Sequence, residues 1–196
     1  MSGSVLRIGS AKYLDVEVML VGDRGRVIAC FHEAGFQMDK DQFEHRLIAQ
    51  KMVYLLRLKG AKFAYPYNLY VRGPYSPLLA GEYYRHADEF AQLKTDVDLT
   101  STEVEFVEEL TCLFDKSPSL LEVGATYAYL AFSTRYPPTH AYRLVKRMKS
   151  FYPNETIVKG VNRAKQYLFV PSEVELRDLE PELRAWQQAS IASMRH

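Results

Sequence analysis

Apolar positions recur along the chain at two spacings. Leu14, Val16 and Val18 alternate with Asp15 and Glu17 in a run ending at Val21, the pattern of a half-buried strand, and Gly22 ends it. Helical spacing then takes over. Asp23 is placed to cap a helix carrying Val27, Ile28, Ala29, Phe31 and Ala34, with Gly35 as its stop. Asp41 is placed to cap a second, in which Phe43, Leu47, Ile48, Met52, Leu55 and Leu56 recur at three- and four-residue steps. Val53 and Tyr54 broaden its apolar face, so this helix is expected at the centre of the fold, closed by Gly60. Alternation returns at Tyr67-Asn68-Leu69-Tyr70-Val71, which reads as one strand with Tyr67 and Leu69 on one face and Asn68 and Tyr70 on the other. Gly73-Pro74 ends that run, and Ser76-Pro77 launches a helix striped by Leu78, Leu79, Tyr83 and Tyr84.

The second half is more plainly helical. Ser101 opens a start resembling a capping box, with Glu103 and Glu105 near the positive helix end and Val104, Val107, Leu110 and Phe114 on one face. Ser117-Pro118 starts a helix over Ser119 to Phe132 that is apolar nearly all round and therefore expected to be buried, until Pro137-Pro138 stops it. Thr139 is placed to cap a helix with Ala141, Leu144, Val145 and Met148 inward and Arg143, Lys146, Arg147 and Lys149 outward. Glu155 to Phe169 follows with Ile157, Val161, Ala164 and Leu168 as its stripe, and Pro181 begins a terminal helix whose Leu183, Trp186 and Ile191 would dock on the body. The elements amount to a mainly α fold of about eight helices with two short strands, a small β element lying beside the Gly-Pro corner. Residues 1–22 read as an N-terminal extension, 23–170 as the helical domain and 171–196 as a C-terminal docking helix.

Length agrees with one main core: 196 residues, 47% hydrophobic and 25% charged, form an ordinary globular composition. The uncharged apolar run Gly124 to Phe132 is nine residues long. A bilayer crossing needs about 20. With no signal-peptide core in Met1 to Ser10 and only two cysteines, Cys30 and Cys112, both expected to be buried, the sequence points to a reducing cytoplasm and away from membranes. Net charge is +1, too balanced for a protein wholly devoted to nucleic acid. Its distribution is uneven. Asp96 to Glu122 holds eight acids against Lys116, whereas Arg135 to Gln166 holds eight bases against Glu155. Complementary solvated faces on neighbouring helices explain that pattern, and so does a partner-binding patch.

No constellation points to catalysis, to a metal or to a cofactor. The five histidines are scattered singly, and His32-Glu33 lacks the second histidine of a zinc-protease motif because Phe36 occupies its place. Phosphate-cradling glycine loops, a nucleophile elbow and paired CxxC motifs are all missing from the sequence. The most unusual segment is Tyr65 to Pro77, with four tyrosines and three prolines in thirteen residues. Fixed proline angles and a glycine turn hold Arg72 and Tyr75 at a strand-to-helix corner, where they suit recognition of a partner, and equally a role stapling strand to helix.

Leu47-Ile48-Ala49-Gln50-Lys51-Met52-Val53-Tyr54-Leu55-Leu56, then Tyr67 to Tyr70, then Gly73-Pro74-Tyr75-Ser76-Pro77, resemble the YwgA-like proteins and, more distantly, the Panacea domain. Those families carry a helix of the form LQKLVYLL leading into an aromatic strand and a GPYSP corner. The likeness extends over roughly residues 24 to 170, and Gln50, Lys51, Tyr54 and Gly73 to Pro77 are its matching positions. Tyr70 stands where the Panacea version normally has tryptophan. The resemblance implies no catalytic residues and an antitoxin-like or defence-associated regulator that binds another protein. Partner-binding candidates are Tyr67, Tyr70, Arg72 and Tyr75, the partner being a foreign chain or a second copy of this one. A winged-helix-like nucleic-acid binder is the alternative, with Arg143, Lys146, Arg147 and Lys149 as its basic helix.

Overall fold

A computed structural model describes residues 23–169. The described part is mainly helical: α1 (residues 23–33), α2 (Phe43–Lys59), α3 (Pro77–Arg85), α4 (Ala87–Gln92), α5 (Ser101–Phe114), α6 (Pro118–Ala128), α7 (Pro138–Met148) and α8 (Asn154–Leu168). Strands β1 (Asn68–Tyr70) and β2 (Gly73–Tyr75) form one antiparallel hairpin between α2 and α3. The expected strand at Asp15 to Val21 and the terminal helix from Pro181 lie outside these residues.

Two helices make the centre, and they are the two with the broadest apolar faces. Every residue of α2 from Leu47 to Leu56 is buried, as is every residue of α6 from Leu120 to Ala128. They pack on each other, and α8 lies along α6 on the other side. That second contact depends on Gly160, where an added Cβ would lie 2.8 Å from the Val123 side chain and 3.1 Å from the Leu120 carbonyl. The small residue lets the two backbones approach closely. Helix α5 closes a third side, tied to α1 by the Arg26–Glu103 ion pair at 2.6 Å and to α8 by the Tyr167 hydroxyl donating to the Phe106 carbonyl.

Several helix starts differ from the sequence reading: a neighbouring residue holds the cap position, or the expected cap falls inside the helix. Thr100, not Ser101, caps α5. Its hydroxyl accepts from the Glu103 N–H while the Glu103 carboxylate accepts from the Thr100 N–H at 3.0 Å, a full capping box. Asp41 lies in a turn before α2, whose cap position is Gln42. Asp23 sits within α1, and its carboxylate accepts from the Ala64 N–H at 2.6 Å, fastening the segment that leaves α2. Thr139 falls in the first turn of α7, after Pro137 and Pro138. Helix α6 runs beyond Ala128 into a π-helical turn, Tyr129–Ser133, before the proline pair. Ser76 does cap α3, accepting from the Leu79 N–H, with Pro77 at the first helical position.

Sealed tyrosines set the response to alkali. Burial pushes the phenols of Tyr54, Tyr65, Tyr67 and Tyr167 far above their ordinary value of 10 and that of Tyr83 to about 12. Above pH 10 the unfolded chain loses protons that the folded chain keeps, so stability present below pH 10 is lost as the pH climbs. In a pH titration followed at the phenolate absorbance, these tyrosines are expected to ionise late and together with unfolding. A smooth titration of every tyrosine near pH 10, with helicity intact, would contradict this burial.

Candidate functional site

The hairpin is short, and its turn is Val71-Arg72. Pairing runs Asn68 to Tyr75, Leu69 to Pro74 and Tyr70 to Gly73. Gly73-Pro74 therefore does not end the aromatic strand but begins its partner. Gly73, the first residue after the turn, takes φ +88° and brings β2 close to α6, where an added Cβ would lie 2.5 Å from the Thr126 hydroxyl.

So small a sheet has little stability of its own, and buried polar side chains hold it. From α2, the Gln50 amide pairs with both backbone groups of Ser76: its oxygen accepts from the Ser76 N–H at 2.8 Å and its nitrogen donates to the Ser76 carbonyl at 3.0 Å. Lys51, next on the helix, donates to the Pro74 carbonyl at 2.6 Å. From the end of α7, Lys149 donates to the Val71 carbonyl at 2.8 Å and to Glu122 at 2.7 Å. Glu122, on α6, also accepts from the Tyr152 hydroxyl at 3.2 Å and faces the Arg72 guanidinium at 3.4 Å. Glu122 and Lys149 are both 0% exposed. Burial lowers the Lys149 ammonium pKa, against the pull of Glu122. It lowers that of Lys51 further, to about 7, with Glu122 opposing and Lys149 adding to the fall.

Around this clamp the chain exposes aromatics. Val71 at the tip is 82% exposed, Phe43 52%, Tyr70 49%, Tyr84 52% and Phe151 56%. They form one neighbourhood: the Arg72 guanidinium lies 5.8 Å from the Phe43 ring and 5.2 Å from the Phe151 ring, and the Tyr70 ring meets Tyr75 edge-on at 5.4 Å. A cleft of about 150 Å³ opens between Phe43, Arg72, Tyr75 and Tyr84, with Lys51 among its lining residues.

The expected site residues divide on this geometry. Tyr70 and Arg72 are exposed and Tyr75 lines the cleft, all three together. Tyr67 does not join them. It shares the inward face with Leu69, its ring lies 5.0 Å from that of Tyr54, and its hydroxyl is enclosed without a hydrogen-bond partner. The basic helix is likewise reduced. Arg143, Lys146 and Arg147 are exposed on α7, but Lys149 is internal, turned inward at the helix end by Glu122 and the Val71 carbonyl. Cys112, expected in the core, is exposed, whereas Cys30 is buried.

Sequence reasoning missed Glu122, Phe43 and Phe151. Glu122 had a signal: it is the one acid inside the apolar run of α6. Among the described residues no group of three His, Cys, Asp or Glu could hold a metal, and no helix is long and apolar enough to cross a membrane. Set against family models, curated proteins and solved structures, the chain matches none of them.

Proposed function

We propose that this chain is a non-catalytic recognition module that binds a partner protein through the hairpin tip and the aromatic side chains beside it. The observation that carries the reading is a contrast within one residue. The Val71 side chain is 82% exposed, while its own carbonyl is held by a lysine that is 0% exposed. Exposed apolar and aromatic groups on a rigid support bind with little loss of conformational freedom, and tyrosine and arginine are the usual anchors of such contacts. Of the residue types that would suit catalysis, Glu122 and Lys149 pair with each other, and Lys149 and Lys51 each hold a carbonyl of the hairpin backbone. The resemblance of Gln50-Lys51 and Gly73 to Pro77 to the YwgA-like and Panacea families supports an antitoxin-like or defence-associated role, with the partner a foreign chain or a second copy.

Nucleic-acid binding through α7 is the weaker reading. Its favouring observation is the exposed trio Arg143, Lys146 and Arg147, which neutralises only a few phosphates once Lys149 is withdrawn.

Val71→Asp and Tyr70→Ala alter exposed side chains and are expected to leave the melting temperature almost unchanged. Complexes that the parent forms with itself or with purified products of neighbouring genes, followed by sedimentation and calorimetry, are expected to weaken about tenfold or more. Folded variants that keep every association of the parent would refute the reading.

A further inference from the structure

The cleft under the hairpin has an electrostatic character that the aromatic face alone does not explain. Arg46, Lys51 and Arg72 line it, and no carboxylate does. Arg46 and Lys51 donate to backbone carbonyls, of Lys40 and Pro74, both at 2.6 Å. Neither has a carboxylate partner among the described residues, and Lys51, 2% exposed, uses one of its three donors. Arg72 reaches Glu122 only at 3.4 Å, while Lys149 holds that same carboxylate at 2.7 Å. Lys51, Arg72 and Lys149 thus share one anion, and Arg46 adds a cation with no carboxylate partner among the described residues. At about 150 Å³ the cleft falls well below the roughly 300–1,000 Å³ of sites for cofactors and drug-sized ligands, and suits one side-chain head. Phe43, Tyr75 and Tyr84 wall it with aromatic surface.

We propose that this cleft receives one acidic side chain of the bound partner, an aspartate or glutamate whose carboxylate sits among Arg46, Lys51 and Arg72 and whose apolar neighbour lies on Phe43 and Tyr84. The proposal rests on the recognition reading above and names the chemistry of the partner's anchor. It also gives binding a proton linkage. The groups facing Lys51 are Arg46 on its own helix, Arg72 in the turn, Tyr75 on β2, Tyr83 and Tyr84 on α3, Glu122 on α6 and Lys149 after α7. With its pKa near 7, Lys51 is charged below that pH, and above it a carboxylate must bring a proton with it. Affinity is therefore greatest below pH 7 and falls at higher pH by up to about tenfold per unit.

The test uses the full chain and two peptides, acetyl-Phe-Glu-Phe-amide and its uncharged analogue acetyl-Phe-Gln-Phe-amide, titrated by NMR at pH 6 and pH 8, with sodium phosphate as a third probe. The glutamate peptide is expected to shift the Lys51 and Tyr75 signals and to bind about tenfold more tightly than the glutamine peptide. It should weaken at pH 8, and about tenfold in Arg46→Ala, a variant that leaves the buried clamp intact. Equal binding of both peptides, an undisturbed cleft, or phosphate binding as tightly as the glutamate peptide would each overturn the proposal. Complexes lost in Val71→Asp but unchanged in Arg46→Ala would remove the carboxylate anchor and leave the recognition face standing.

Discussion

Replacing Glu122 by alanine is expected to destabilise the folded chain by about 3–5 kcal/mol, the cost of breaking a buried ion pair from one side. Glu122 accepts from Lys149 at 2.7 Å and from Tyr152 at 3.2 Å, with neither Glu122 nor Lys149 exposed. Without it the Lys149 ammonium keeps the Val71 carbonyl at 2.8 Å and no counter-charge that close. Two further results separate this mechanism from simple loss of volume. The deficit should narrow as the pH rises, because an unpaired buried ammonium sheds its proton more readily than the same lysine in the unfolded chain. Glu122→Leu combined with Lys149→Met should recover most of the stability, since well-packed apolar groups replace a buried pair at little or no cost. Denaturant unfolding of the single and double variants reads all three. A Glu122→Ala chain within about 1 kcal/mol of the parent would show that the pair does not hold the hairpin.

Gly73→Ala is expected to cost about 2–4 kcal/mol, from two additive sources. At φ +88° a side chain strains the backbone, and the new Cβ would meet the Thr126 hydroxyl at 2.5 Å. That hydroxyl cannot retreat freely, because it donates to the Glu122 carbonyl at 2.7 Å one turn back. Adding Thr126→Ala should return the steric part and leave the backbone part. A Gly73→Ala chain with an unchanged melting temperature would mean that the tip is not rigid, and recognition by a preformed hairpin would lose its basis.

The parts of the fold that could be read in the sequence are those set by local pattern. Broad apolar faces marked α2 as central and α6 as buried, and Ser76-Pro77 marked the start of α3. Gln50 and Lys51 were visible as polar residues inside an apolar helix, although their targets, Ser76 and Pro74, are more than twenty residues away. The second strand was hidden by Pro74, which argues against a strand, yet only a three-residue edge is built and proline is tolerated there. The brief α4 follows α3 through a shared residue, His86, too short to show a period. Lys149 misled for a related reason. It follows Arg143, Lys146 and Arg147 in sequence as a fourth solvated base, and it is turned inward by groups distant in sequence, the lone acid of α6, 27 residues earlier, and the Val71 carbonyl. Two of the acids in the acidic stretch, Glu103 and Glu122, are likewise buried, so part of the charge asymmetry is internal pairing.

The recognition face is tested most directly by placing a photo-reactive phenylalanine analogue at Val71, 82% exposed on the hairpin tip, and at the exposed Glu108 of α5 as a control. After irradiation in the host cell, the chain labelled at position 71 is expected to cross-link to one defined protein or to a second copy of itself, with the adduct lost when Tyr70→Ala is added. Cross-links at position 71 that are absent, or the same as those at position 108, would contradict a partner site at the tip.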